Sequence, residues 1–60
     1  MTSLKIENNV FMILSKIKKS KTPLTLENTL HIIDNQKLSI EEIRKMRKFV
    51  IENNNIFFNN

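Results

Sequence analysis

The sequence predicts an all-α fold, a small three-helix, helix-turn-helix-like bundle with a short apolar C-terminal arm or strand. Three observations predict it. Apolar residues recur at three- and four-residue steps in three separate segments, the pattern of helices that bury one side. Pro23 and the polar run Asp34-Asn35-Gln36-Lys37 punctuate those segments. Thr25 and Ser39 stand where helix N-caps are needed, each with a glutamate in the turn that follows. The 60 residues suffice for a single small helical domain, residues 1–60. A chain of that size buries only about 60% of the surface its unfolded form exposes.

The first helix is expected from Leu4 to Lys19, because Ile6, Val10, Ile13, Leu14 and Ile17 fall on one face. Leu4 and Phe11 widen that face, and Met12 lies opposite it. Lys16, Lys18, Lys19 and Lys21 gather at the C-terminal end, where cations suit the helix dipole. Lys21-Thr22-Pro23 ends the helix, since proline lacks an N–H and pushes its predecessor out of the α region.

A short second helix, about ten residues long, starts near Thr25 with Glu27 in its first turn and carries Leu26, Leu30 and Ile33 on one stripe. In the turn that follows, Asn35 is expected to take the left-handed conformation in a chain that contains no glycine. The third helix spans Ile40 to about Glu52. Ser39 caps it, Glu42 reaches back to the cap's own N–H, and Leu38 and Ile43 occupy the positions of a hydrophobic staple. Ile43, Met46, Phe49 and Val50 share one side of this helix; Arg44, Lys45, Arg47 and Lys48 spread over the other, interrupted by Ile40 and Ile51. After the asparagine run, Ile56, Phe57 and Phe58 form a strand, an extended arm or a plug on the core. Closure of the core and contact with a partner are both open for these three.

Composition narrows the function. Net charge is +4 with a pI near 9.8, which favours an anionic partner such as nucleic acid or an acidic protein surface. Asn, Ile and Lys, the residues of AT-rich codons, dominate the chain, so lysine and asparagine counts carry little functional weight by themselves. Zero glycines exclude the phosphate-cradling P-loop and the dinucleotide fingerprint. One histidine and no cysteine leave no convincing members for a zinc site or a nucleophilic relay. His31 with Asp34 reads as a solvated helix histidine, and Glu41 and Glu42 as capping and dipole residues, Glu41 also pairing with Lys45. No enzymatic activity, cofactor or metal is therefore expected. The apolar stretch Val10-Phe11-Met12-Ile13-Leu14 is followed by lysines rather than a cleavage site, and no run approaches the about 20 apolar residues of a membrane span. With no disulfides to form, an intracellular setting is expected, cytoplasmic or nuclear. A core this small also fits a homodimer or an obligate complex with a larger protein.

Phe11, Leu14 and Ile17, then Pro23-Leu24-Thr25-Leu26-Glu27, Leu30, Leu38, Met46, Val50 and Asn53-Asn54 with Ile56 resemble the winged-helix core of the beta subunit of general transcription factor IIE. The resemblance covers most of the chain and implies a role in binding double-stranded DNA, with the third helix facing the groove or the backbone. The departure is the wing: no glycine is present to turn one, and the residues after Phe58 leave no room for two strands.

Two functions follow. The first is a non-catalytic regulatory nucleic-acid binder, double-stranded DNA favoured, in which Arg44, Lys45, Arg47 and Lys48 make contacts and Lys16, Lys18, Lys19 and Lys21 add phosphate attraction. The second is a small protein-binding regulator, an inhibitor, adaptor or antitoxin-like chain, that docks Ile56, Phe57, Phe58 and the basic helix on a larger partner.

Overall fold

Each apolar segment has one face to bury, and in a chain this short the faces can only bury one another. The computed structural model describes residues 4–58 and contains four helices: α1 (Leu4–Lys19), α2 (Leu26–Asp34), α3 (Ile40–Glu52) and α4 (Asn54–Phe58). α1 packs against both α2 and α3, these two pack against each other, and α4 sits on the end of α3. No strand occurs among the described residues.

The core is built on α1, whose Ile6, Val10, Ile13, Leu14 and Ile17 are all buried. α2 adds Ile33, and α3 adds Met46 and Val50. Leu24, Leu26, Leu30, Ile32, Ile43 and Phe49 close around this cluster in half-buried positions. The sequence placed α1 and α3 within the same limits. α2 is rolled relative to its apolar stripe: Thr29, one helical turn from Ile33, is completely buried while Leu26 and Leu30 sit at the edge. The Thr29 hydroxyl donates to the Thr25 carbonyl at 2.8 Å, so its polar atom enters the core already satisfied.

The helix ends show how a chain without glycine terminates helices. Asn35 has φ −96° and ψ 4°, and no described residue has positive φ, so the left-handed turn expected at Asn35 does not form. Side-chain amides close the ends instead. Asn35 Nδ2 donates to the His31 carbonyl at 2.8 Å and Gln36 Nε2 to that of Ile32 at 3.1 Å. Asn53 Nδ2 does the same for Phe49 at 2.8 Å, and Asn54 Nδ2 for Ile51 at 2.7 Å. At the end of α1, the Ser20 hydroxyl donates to the Ile17 carbonyl at 2.8 Å. Carbonyls that a left-handed cap would satisfy thus find donors one turn later.

The C-terminal segment corrects the expectation of an arm or strand. Residues 54–58 are helical: the Asn53 carbonyl, free at the end of α3, accepts from the N–H groups of Ile56 and Phe57 at 3.0 and 3.1 Å. This local restart turns Phe57 and Phe58 onto the core and leaves Ile56 76% exposed. Phe57 packs edge-on against Phe11, with centroids 6.0 Å apart, and lies 5.8 Å from the tilted ring of Phe49. Phe11 and Phe49 complete the group in a T-shaped pair at 6.3 Å.

Truncating the core should therefore have a large effect. Met46→Ala should cost about 2–5 kcal/mol, comparable with the about 3–5 kcal/mol a core of this size supplies, and abolish the cooperative thermal transition followed by circular dichroism. Ile56→Ala should stay within about 0.5 kcal/mol of the parent, as for other exposed positions.

Candidate functional site

α3 positions the basic residues, and its inward side determines where they point. With Met46 and Val50 fully buried, the opposite side of the helix is centred on Arg44 and Lys48, one turn apart. Both are exposed, and neither has an ion-pair partner among the described residues. Ile40 and Ile51, 71% and 44% exposed, border Arg44 on the same side.

The other two cations of α3 are engaged. Arg47 Nη1 donates to both carboxylate oxygens of Asp34, at 2.8 and 2.7 Å. Asp34 is the last residue of α2, so this bond braces the two helices across the connection over 35–39. Lys45 Nζ lies 3.3 Å from Glu41, with both side chains well exposed; such a pair contributes a few tenths of a kcal/mol, roughly. A ligand meets Arg44 and Lys48 first, Lys45 at the cost of a weak pair, and Arg47 only by competing with Asp34.

The N-terminus of α3 is fixed from two sides. The Glu42 N–H donates to Ser39 Oγ at 3.1 Å, and the Ser39 hydroxyl donates in turn to Glu42 Oε1 at 3.1 Å. The expected return contact from the Glu42 carboxylate to the Ser39 backbone N–H is present as the weaker of the two, and this side-chain bond adds to it. The other carboxylate oxygen, enclosed within the structure, lies 3.5 Å from Lys5 Nζ of α1. The Ser39 hydrogen bond, and after it the Lys5 charge, hold the Glu42 carboxyl below its ordinary value.

Lys16, Lys18, Lys19 and Lys21 are exposed, and no ion pair holds any of them among the described residues. Lys16 lines a hollow with Leu38 and Met46, which places it beside the inward side of α3. Arg44 and Lys48 point the other way, so the two basic groups do not merge into one surface through Lys16. Of the three apolar tail residues, Phe57 and Phe58 are half-buried among aromatic rings and Ile56 alone is open. His31 is exposed, and Asp34, its neighbour in sequence, is held by Arg47. Among the described residues, no three His, Asp or Glu side chains gather as a metal site, and no helix is long and apolar enough to cross a membrane.

Sequence reasoning missed the Asp34–Arg47 and Lys5–Glu42 pairs. It also missed a hollow along the outward side of α1, where Asn8 and Ser15 lie between Phe11, Met12, Lys16 and Lys19. The recurrence of Asn8 and Ser15 one heptad apart was the available signal for the last. Comparison with family models, curated proteins and solved structures gives no match for this chain.

Two measurements test this geometry. Ser39→Ala should destabilise the fold by about 1 kcal/mol, read as a lower urea midpoint. Because the folded-state pKa of Glu42 lies below its ordinary 4.5, its stabilisation is complete above that pH and is lost as pH falls through the lowered value. The thermal midpoint should drop on acidification below pH 4.5, and Glu42→Gln should make that drop shallower.

Proposed function

We propose that the chain is a small non-catalytic regulatory protein that binds double-stranded DNA through the outward side of α3. The observation that carries this reading is the pair Arg44 and Lys48: exposed, free of ion pairs, one turn apart, and centred on a helix whose other side is fully anchored. Long cations presented by a rigid helix can reach phosphates and base edges, the arrangement used by helix-turn-helix readers. Arginine adds the bidentate fork that lysine lacks. The connection over 35–39 is longer than the turn of about 3–4 residues in the standard motif, and the Asp34–Arg47 bond does here what a tight turn does there. The resemblance to the winged-helix core of the transcription factor IIE beta subunit supports the same reading, since it assigns DNA contact to the third helix. The described residues that follow α3 are helical and form no strand of a wing, so the reading rests on α3. Lys45 joins the contact surface, the α1 lysines add long-range attraction, and an intracellular site of action accompanies this role.

One observation favours a second reading, docking on an acidic protein surface: Ile40 and Ile51 flank the cations and are exposed. Phosphate backbones have no use for such side chains, whereas a protein partner does.

Fluorescence anisotropy with random-sequence duplex separates the two. DNA binding through two to four phosphates predicts a slope of log affinity against log salt between about −2 and −4. Arg44→Glu with Lys48→Glu should lower affinity at least about tenfold while helical circular dichroism is unchanged. Absence of binding at low salt, or unchanged affinity in the double variant, would remove DNA as the ligand of α3 and leave the protein partner.

A further inference from the structure

We propose that the outward side of α1 is a docking groove for an acidic amphipathic helix of a partner protein, separate from the cationic face of α3. α1 buries one side in the core, yet its other side is not the polar surface a solvated helix needs. Leu4 and Met12 are 72% and 58% exposed there, and Phe11 keeps about half its surface open although its ring is packed on Phe49 and Phe57. Between these side chains the short Asn8 and Ser15, a heptad apart, leave a hollow of about 590 Å³ bounded further on by Lys16 and Lys19. A second, smaller hollow of about 110 Å³ continues it past Met12 and Lys16 towards Leu38, which is itself exposed.

The groove therefore has apolar walls, Phe11 and Met12, around recesses that Asn8 and Ser15 leave at helical spacing, the shape that accepts the side-chain ridge of another helix. Its rim names the charge of the occupant. No aspartate or glutamate lines either hollow, and Lys16 and Lys19 have no ion-pair partner among the described residues. Their proximity to the C-terminus of α1 satisfies the helix dipole but leaves the net charge facing solvent. An apolar ridge flanked by carboxylates matches both features. A second copy of this chain does not, because the hollows carry Lys16 and Lys19 and no acid, so two copies of the groove laid face to face bring only cations together. Nucleic acid matches the lysines but leaves Leu4, Phe11, Met12 and Leu38 without a use.

The probe is a fluorescein-labelled peptide about four helical turns long, with leucines on one face and glutamates on the other, titrated with the full-length chain and read by anisotropy. A peptide of the same composition, shuffled so that no face forms, is the comparison. The expected result is saturable binding of the amphipathic peptide, at least tenfold tighter than the shuffled one, weakened about tenfold or more by Met12→Glu and by Lys16→Glu with Lys19→Glu, and unaffected by Arg44→Glu with Lys48→Glu. Because glutamates at the C-terminus of α1 oppose its dipole, helical circular dichroism of each variant is recorded first, and Lys16→Gln with Lys19→Gln, which removes the charge without reversing it, should weaken binding in the same direction. No binding, equal binding of the shuffled peptide, or full affinity in the α1 variants would overturn the proposal. It would also be overturned if unlabelled duplex DNA displaced the peptide from the Arg44→Glu with Lys48→Glu variant, whose α3 no longer holds DNA, since nucleic acid would then be the occupant of α1.

Discussion

Everything in this molecule depends on the packing of one stripe of α1 against Met46 and Val50 of α3 and Ile33 of α2. Five of the buried apolar side chains come from α1 alone, so no other pair of elements could close a core without it. The constraint reaches beyond stability. Each helix has one face committed to this cluster, and what it presents to solvent is decided by subtraction. α3 presents Arg44 and Lys48 because Met46 and Val50 point inward, and α1 presents Met12 because Ile6, Val10, Ile13 and Ile17 do. In a domain with so little interior, the same hydrophobic contacts that fold the chain also aim its charges.

Polar contacts then fix what the small core leaves loose. Helix termini are the vulnerable points of a short bundle, since each leaves about four backbone groups without intrahelical partners. Glycine would be the usual solution at C-termini and is absent. Asn35, Gln36, Asn53 and Asn54 take over with side-chain amides directed at carbonyls one turn back. Two cross-helix ion pairs act at a larger scale: Lys5–Glu42 joins the starts of α1 and α3, and Asp34–Arg47 joins the end of α2 to the middle of α3. Surface pairs of this kind add little energy individually, but here they tie α3 to both other helices of the core.

The limits of α1 and α3 were legible because apolar period, proline and capping box all pointed to the same residues. Three features were not, each for a physical reason. Thr29 is polar, and only its bond to the Thr25 carbonyl makes it a core residue; a periodicity of apolar side chains cannot register that. Ile56, Phe57 and Phe58 have strand-like local preference, and they become helical because Asn53 lets α3 restart and because Phe11 and Phe49 offer a place for the rings. Of the four cationic residues of α3, only Lys45 was expected to pair, with Glu41 one turn back, and that pair forms; the engagement of Arg47 was not foreseen. The division of the four into Arg44 and Lys48 on one hand and Lys45 and Arg47 on the other depends on where Glu41 and Asp34 fall in space, and the second of these is set by tertiary packing. Asn35 was expected at the end of α2, though in another conformation, whereas Asn53 and Asn54, discounted as codon bias, end α3.

The central claim is that the side of α3 opposite the core is the surface that meets nucleic acid. Backbone amide chemical shifts of the full-length chain, recorded by NMR during titration with random-sequence duplex, test it most directly. The account predicts perturbations centred on Arg44 and Lys48 and extending to Ile40 and Ile51, with Ile13, Ile33 and the outward side of α1 around Met12 unmoved. Shifts centred on α1, or none at all at low salt, would contradict it.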